Sequence, residues 1–445
     1  MAEAGSSSRP AWDRFWFGEG SLVRLAVFRM AMMLAAFYAL WHFRVGVFQH
    51  ATGADAKAFL GRSWTPIYAF EVLGLGPPGA TAAHVAFWGL VVAIGCATVG
   101  LFTRTACAVV ALLSFYWIGA HYSHGKPHHD CVVLMFGLLA LPFAPVGARL
   151  SIDSLLRRLR QARSGGDPLA VPERAPWAKL PLLVTQITAA LGYFFSGASK
   201  LVIGGWDWAN GYTLQGIMLE YPSPWTEAMV GNVFLCRLMS FGLVFVQASF
   251  PLVFLPITWR GTKRALRWFY LPMAVLFHLL AMQTMATGPF ITLWFTLVAF
   301  VELEKVPAFL RRNLLGGPLP LRIVWTLAVL GASVGTALLY TRFMPRWFLL
   351  VLLPVAATAV SAWLRRDRLA VRFDPGDARA RVRVAWLSAF DWAGRLRFEP
   401  KGGTPAGLEV RGGGGPLVGH GGLAAARSEL PLVRLVLPWA GRRRT

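Results

Sequence analysis

Apolar runs of about twenty residues, repeated along most of the chain, constrain this sequence more than any other feature. They lie at 25–43, 82–102, 105–121, 130–147, 180–201, 231–257, 268–287, 288–303, 322–341 and 346–364. About 20 apolar residues in a helix cover the ~30 Å hydrocarbon thickness of a bilayer, and only helices or closed barrels satisfy their backbone polar groups there. Composition agrees, with 56% of the 445 residues hydrophobic and 15% charged, against roughly 25% charged in soluble domains. A soluble enzyme is excluded. The expected fold is an all-α polytopic membrane helical bundle with a small C-terminal appendage. The seventh and eighth runs meet at Thr287-Gly288-Pro289 with almost no linker, so the count stands at about eight to ten spans.

The formal net charge of +23, from 44 Lys+Arg against 21 Asp+Glu, calls for no nucleic acid in such a protein. Basic residues collect in cytoplasmic loops facing anionic lipid, and here every second connection is basic. Arg149, Arg157, Arg158, Arg160, Arg163 and Arg174 follow the fourth run, and Arg260, Lys263, Arg264 and Arg267 the sixth. Lys305, Arg311, Arg312 and Arg322 follow the eighth, and Arg365, Arg366 and Arg368 the tenth. This predicts a multi-pass inner-membrane protein with both termini cytoplasmic and the 45–80, 121–129, 203–229 and 286–289 connections outside. The polar opening MAEAGSSSRPAWDR lacks a cleavable leader pattern, so the first span is expected to be retained.

Residues 1–20 then form a polar segment, 21–305 the main membrane domain and 306–365 two further spans. From 366 to 445 charges become frequent and a Gly run fills 412–415, which marks a cytoplasmic domain. The lipid bilayer is the expected partner. Cys96, Cys107, Cys131 and Cys236 lie in or beside apolar runs with no pair at metal-ligand spacing, and read as small core residues.

Ionisable residues inside apolar spans are costly and mark candidate sites. Lys200 ends the fifth run, His278 lies within the seventh, and HYSHGKPHHD at 121–130 joins the third and fourth. The orientation turns all three toward one extracytoplasmic cavity. Lys200, in Gly-Ala-Ser-Lys-Leu, is one of seven lysines among the 44 basic residues. A desolvated lysine can give up its proton and serve as a base, whereas arginine keeps its charge; a lysine at a helix end can equally snorkel to the headgroups. His278 suits proton transfer or a core histidine bonded to a neighbouring helix. The histidine run reads as a loop with a proline and no regular i,i+4 ligand spacing, and does not read as a metal site. Arg29 should pair with a carboxylate or a backbone carbonyl, and Trp206-Asp207-Trp208 reads as an interfacial anchor. Two functional classes stay open, an enzyme and a non-catalytic or transport bundle.

The same residues carry a resemblance to the vitamin K-dependent gamma-carboxylase-like family, also called the horizontally transferred transmembrane domain (HTTM) family. Leu25-Ala26-Val27-Phe28-Arg29 resembles its first-helix signature. Tyr193-Phe194-Phe195-Ser196-Gly197-Ala198-Ser199-Lys200-Leu201, followed by Asp207-Trp208-Ala209-Asn210-Gly211-Tyr212, resembles its central block. Phe277-His278 with Gln283, Gly288 and Phe290, and Leu150-Ser151-Ile152-Asp153, match further blocks, and the whole covers about residues 15–305. The resemblance implies that Lys200 is the base acting on a reduced, vitamin K-like quinone, in carboxylase-epoxidase-like chemistry. His129, between His128 and Asp130, is implied as an assisting residue, and His278 completes the candidate catalytic set. One lysine stands where the carboxylase has two, and its long lumenal substrate-binding region has no counterpart here, which favours a quinol or other lipid-soluble substrate over a protein.

The appendage resembles the DCC-type thiol-disulfide oxidoreductase domain, which implies a small α/β thioredoxin-like fold. Val371-Arg372-Phe373-Asp374 resembles its first strand, Asp391-Trp392-Ala393-Gly394-Arg395-Leu396-Arg397-Phe398 its second, and Gly422 to Leu435 its closing helix. Where that family carries redox cysteines, this chain reads Pro375-Gly376-Asp377-Ala378-Arg379-Ala380-Arg381. Disulfide exchange needs a thiolate and is not expected.

Overall fold

The computed structural model describes residues 10–52, 64–124, 131–223, 226–254, 269–278, 281, 291–301, 369–391, 396–404, 408–412, 415–428 and 430. The runs expected at 322–341 and 346–364 lie outside the described residues.

A short helix α1 (Ala11–Phe17) and a two-residue strand β1 (Gly20–Ser21) lead into α2 (Leu22–Thr52). At 31 residues, α2 is far longer than the 25–43 run that announced it. It continues nine residues past that run to Thr52, carrying the half-buried Arg44 and His50 in the added turns. After α3 (Tyr68–Val72), the helices α4 (Ala80–Val99) and α5 (Thr103–Tyr122) pack as an antiparallel pair. The left-handed turn between them uses Gly100 at φ 73° and Phe102 at φ 46°. Then come α6 (Val132–Ala140), α7 (Ile152–Arg163), β2 (Arg174–Ala175), α8 (Leu180–Gly204), α9 (Tyr212–Glu220), α10 (Thr226–Val230) and α11 (Val233–Ser249). A helix α12 spans Phe269–His278, and α13 spans Ile291–Leu297.

Five of the described helices are long and apolar enough to cross a membrane: α2, α4, α5, α8 continued to Trp208, and α11 continued to Phe254. Their outer faces agree with that role. Phe234, Leu238, Phe241 and Phe245 line one face of α11 at helical spacing and are all exposed, as are Val85, Trp88 and Val92 on α4. Such stripes are unfavourable in water and natural against lipid tails. The run at 130–147 needs correction. Its helix stops at Ala140 and tightens into a 3-10 turn over Leu141–Phe143, because Pro142 has no N–H to donate and Pro145 follows.

The two ends of the bundle differ. β1 pairs antiparallel with β2, Gly20 opposite Ala175, so α2 and α8 start side by side. Asp153 at the start of α7 accepts from Phe102 N at 3.0 Å, Thr103 N at 2.7 Å and Thr103 Oγ1 at 2.6 Å. Burial pushes the Asp153 carboxyl up, but those three bonds and nearby Arg157 outweigh it and hold it below the ordinary carboxylate value. The α4–α5 turn and α7 therefore share this first end. Arg29 lies wholly buried near it. It donates to the Val146, Leu150 and Thr98 carbonyls at 2.6, 2.7 and 3.4 Å, so of its two expected partner types the carbonyl is realised. At the opposite end α2 meets the end of α5: Gly46 faces the His121 ring, and His50 stacks on His124.

The C-terminal unit runs β3 (Leu369–Phe373), α14 (Ala378–Phe390), β4 (Leu396–Pro400), β5 (Leu408–Gly412), β6 (Gly415–Val418) and α15 (Gly419–Ser428). The sheet order is β4-β3-β5-β6. β3 and β4 are parallel, whereas the β3–β5 and β5–β6 pairs are antiparallel. Val371, Phe373, Ala380, Val384, Leu387, Leu408 and Val410 form its own core, against which Leu169 of the membrane part packs. Asp377 caps α14, accepting from Arg379 N at 2.8 Å. α14 lies on α7: Arg158 Nη1 donates to Ser388 Oγ at 2.6 Å, and Arg381 Nε to the Ala162 carbonyl at 2.9 Å. Burial, then the neighbouring Arg149 and Arg157, lower the Arg158 guanidinium to about 10.

Candidate functional site

Helix α8 presents Tyr193, Ser196 and Lys200 at i, i+3 and i+7, which places them on one face. That face lines a cavity of about 190 Å³. α11 closes the cavity from one side because Gly197 lets the two backbones touch; a Cβ there would lie 2.5 Å from Ala248 N. This close approach brings in Gln247. At the end of α8, Gly205 takes φ 55°, a conformation open to glycine at little cost. The 3-10 turn Gly205–Trp208 then folds back, with the Trp208 ring centroid 5.1 Å from Lys200 Nζ, within cation–π range. Phe277 and His278 of α12 and Val133 of α6 also line the cavity.

The polar groups in it are connected. Lys200 Nζ donates to the Ser196 carbonyl at 3.0 Å and to Ser196 Oγ at 2.9 Å. Ser196 Oγ in turn donates to Gln247 Oε1 at 3.4 Å. Among the described residues no aspartate or glutamate lines the cavity, so the lysine faces an apolar and aromatic space with one serine as its hydrogen-bond partner. Deeper in the bundle, the Tyr193 hydroxyl and His278 Nε2 are hydrogen-bonded at 2.8 Å. The hydroxyl is the donor when the ring carries its proton on Nδ1. Both residues are buried, and Tyr193 stacks on Phe250 with centroids 4.3 Å apart. The cavity thus offers a lysine amine and a tyrosine–histidine pair to one occupant, enough to take or give a proton without metal ligands.

Of the three expected catalytic residues, Lys200 and His278 meet in this cavity, and His129 lies outside the described residues. The two described histidines of the 121–130 connection belong to a different cluster. His121 stacks on Phe43 at 4.2 Å, while His124 lies between His50, at 3.8 Å and nearly parallel, and Trp64. Burial first, then His50, lowers His124 to about 4, so it is neutral near pH 7. Parallel stacked rings do not converge on an ion, and among the described residues no three His, Cys, Asp or Glu side chains gather as a metal site.

Trp206 is exposed, in keeping with an interfacial anchor, but Trp208 serves the cavity. Gln247 was missed from the sequence, although an amide inside an apolar run carries the same signal of cost as a charge. Tyr193 and Ser196 stood in the resemblance block without a role. Neither a family model nor a curated protein nor a solved structure matches the chain.

Proposed function

We propose that this is an integral membrane protein of the HTTM/gamma-carboxylase-like type, whose cavity receives a lipid-soluble molecule bearing an acidic hydroxyl, and that Lys200 is the base. One observation carries this reading: Lys200 sits in an aromatic-walled cavity without a carboxylate, bonded to Ser196 alone among the described residues. A structural lysine would be better served by headgroups or a counter-ion. The amine lone pair accepts the hydroxyl proton, and the ammonium so formed donates to the Ser196 carbonyl and Oγ. Ser196 keeps its own hydrogen toward Gln247, so both polar side chains are already oriented for the charged product. Tyr193 and His278 form the second proton-bearing group, suited to holding another oxygen of the occupant.

A reduced quinone suits the cavity, since a flat ring finds Trp208 and Phe277 as walls. When bound it would supply the acidic hydroxyl and the electrons, with dioxygen as the oxidant, for carboxylase-epoxidase-like chemistry. We read the C-terminal unit as a thioredoxin-like module without redox function. The β4-β3-β5-β6 order supports this, as does the absence of any cysteine from residues 366–445. Its seat on the arginine-bearing α7 supports a cytoplasmic location for both.

The test is mass spectrometry of lipid-soluble molecules co-purified with the wild type, Lys200→Ala and Lys200→Arg, followed by turnover of what is found. The expected result is a hydroxyl-bearing ring compound held by the wild type. Lys200→Arg should fold yet be inactive, because guanidinium keeps its proton. A fully active arginine variant would remove the base role and leave Lys200 a structural residue, and a wild type that turns nothing over would leave the bundle a transport or structural part.

A further inference from the structure

Helix α7 has two faces with different surroundings. Leu155, Arg158 and Ala162 are buried, and this is the side committed to α14 through Arg158–Ser388 and Arg381–Ala162. Leu156, Arg157, Arg160 and Arg163 are exposed and fall at helical spacing on the other side. Arg157 has one long contact to the Gly147 carbonyl, at 3.5 Å. Among the described residues, none of Arg157, Arg160 and Arg163 forms an ion pair. Asp153 is the one acidic residue of the helix, and its oxygens are already bonded to Phe102 and Thr103.

We propose that the exposed stripe Leu156, Arg157, Arg160 and Arg163 is a binding face for anionic phospholipid headgroups. Asp153 ties the first turn of α7 to the α4–α5 turn, where two membrane-length helices end. Phe102 in that turn is 73% exposed, and Phe143 at the end of the neighbouring α6 segment 61%. Exposed phenylalanines at helix ends belong at the lipid boundary, which sets the level of α7. A leucine among guanidiniums is the pattern of a helix lying in the interface, its apolar residue in the acyl boundary and its arginines on phosphates. A soluble polyanion such as RNA would use the arginines but leave Leu156 and the phenylalanines exposed to water. The buried Arg158, flanked by Arg149 and Arg157, adds to the positive field on this segment. This site is separate from the Lys200 cavity and stands whether or not Lys200 is a base.

The experiment titrates the purified full-length protein in neutral detergent with phosphatidylglycerol or phosphatidylcholine and counts bound lipid by mass spectrometry of the intact complex. Each arginine near an anionic headgroup is worth about fivefold, so R157Q/R160Q/R163Q should weaken phosphatidylglycerol about 100-fold and leave phosphatidylcholine unchanged. R157K/R160K/R163K should keep most of the preference, and added salt should erode it. Retention of phosphatidylglycerol by the glutamine variant to within about threefold of wild type would overturn the proposal. So would glycerophosphate or an RNA oligonucleotide binding as tightly as the lipid. A second measurement needs no charge change: a nitroxide on Leu156→Cys in phosphatidylglycerol-containing nanodiscs should relax with dissolved oxygen as at headgroup depth, and bulk-water accessibility there would refute the assignment.

Discussion

Gly197→Ala is the sharpest probe of how the cavity is held together. An added Cβ would lie 2.5 Å from Ala248 N, 2.9 Å from Gln247 Cβ and 3.0 Å from Ala248 Cα. Ordinary carbon contacts begin near ~3.5 Å, so α8 and α11 must separate by up to about 1 Å, and the atoms met first belong to helix backbone that cannot rotate away. Overpacking of this kind costs about 1–3 kcal/mol, against which alanine recovers up to about 1 kcal/mol of helix propensity. The net loss should be about 1–2 kcal/mol, lowering the unfolding midpoint by about 2–5 °C. The Ser196–Gln247 contact, already 3.4 Å, should be lost with the separation, so occupancy of the cavity should fall with stability. The assay is thermal unfolding in detergent together with bound-ligand mass spectrometry. Gly192→Ala is the internal control: it lines the same cavity on the same helix, its Cβ would meet nothing within 4 Å, and it should be neutral or slightly stabilising. A Gly197→Ala protein as stable as the wild type, or a Gly192→Ala protein equally damaged, would refute the close-approach argument.

Three further outcomes are expected. Arg29→Met should destabilise by about 2–4 kcal/mol, because the buried Val146 carbonyl and the part-buried Leu150 carbonyl lose their charged donor and Leu150 is held at φ 48°; an unchanged melting point would contradict this. Tyr193→Phe should preserve the fold but leave His278 Nε2 without its hydroxyl partner, lowering ligand occupancy while the Phe250 stack survives; unaltered occupancy would exclude the pair from the site. The folded Asp153 carboxyl lies below its unfolded value of about 3.9, so its contribution is present above about pH 4 and is lost as pH falls through the lower folded value. Asp153→Asn should therefore be less stable at neutral pH and show a flatter acid limb in melting curves taken between about pH 5 and pH 3; parallel curves for the two proteins would contradict the bonding at Thr103.

The sequence by itself determined that the chain builds long apolar helices, because hydrophobic runs at bilayer length are a one-dimensional property and survive any packing arrangement. It also singled out Lys200, His278 and Arg29, since an ionisable residue in an apolar run is conspicuous wherever the run ends up. The ends of helices were less legible. Nothing in the periodicity of 130–147 shows that Pro142 closes the helix in a 3-10 turn, and nothing in the 25–43 run shows that α2 continues through His50, where Phe48 packs on His84 of α4 and His50 stacks on His124 just beyond α5. The partnerships were decided by tertiary structure alone. Lys200 could have snorkelled from the end of α8, but Gly205 turns the chain so that Trp208 covers it, and the bare surface of Gly197 brings Gln247 within reach of Ser196. Tyr193 and His278 are 85 residues apart, and α7 and α14 farther still. Which side chains meet over such distances depends on helix rotation and approach, and those are set by the shape of every neighbouring side chain at once.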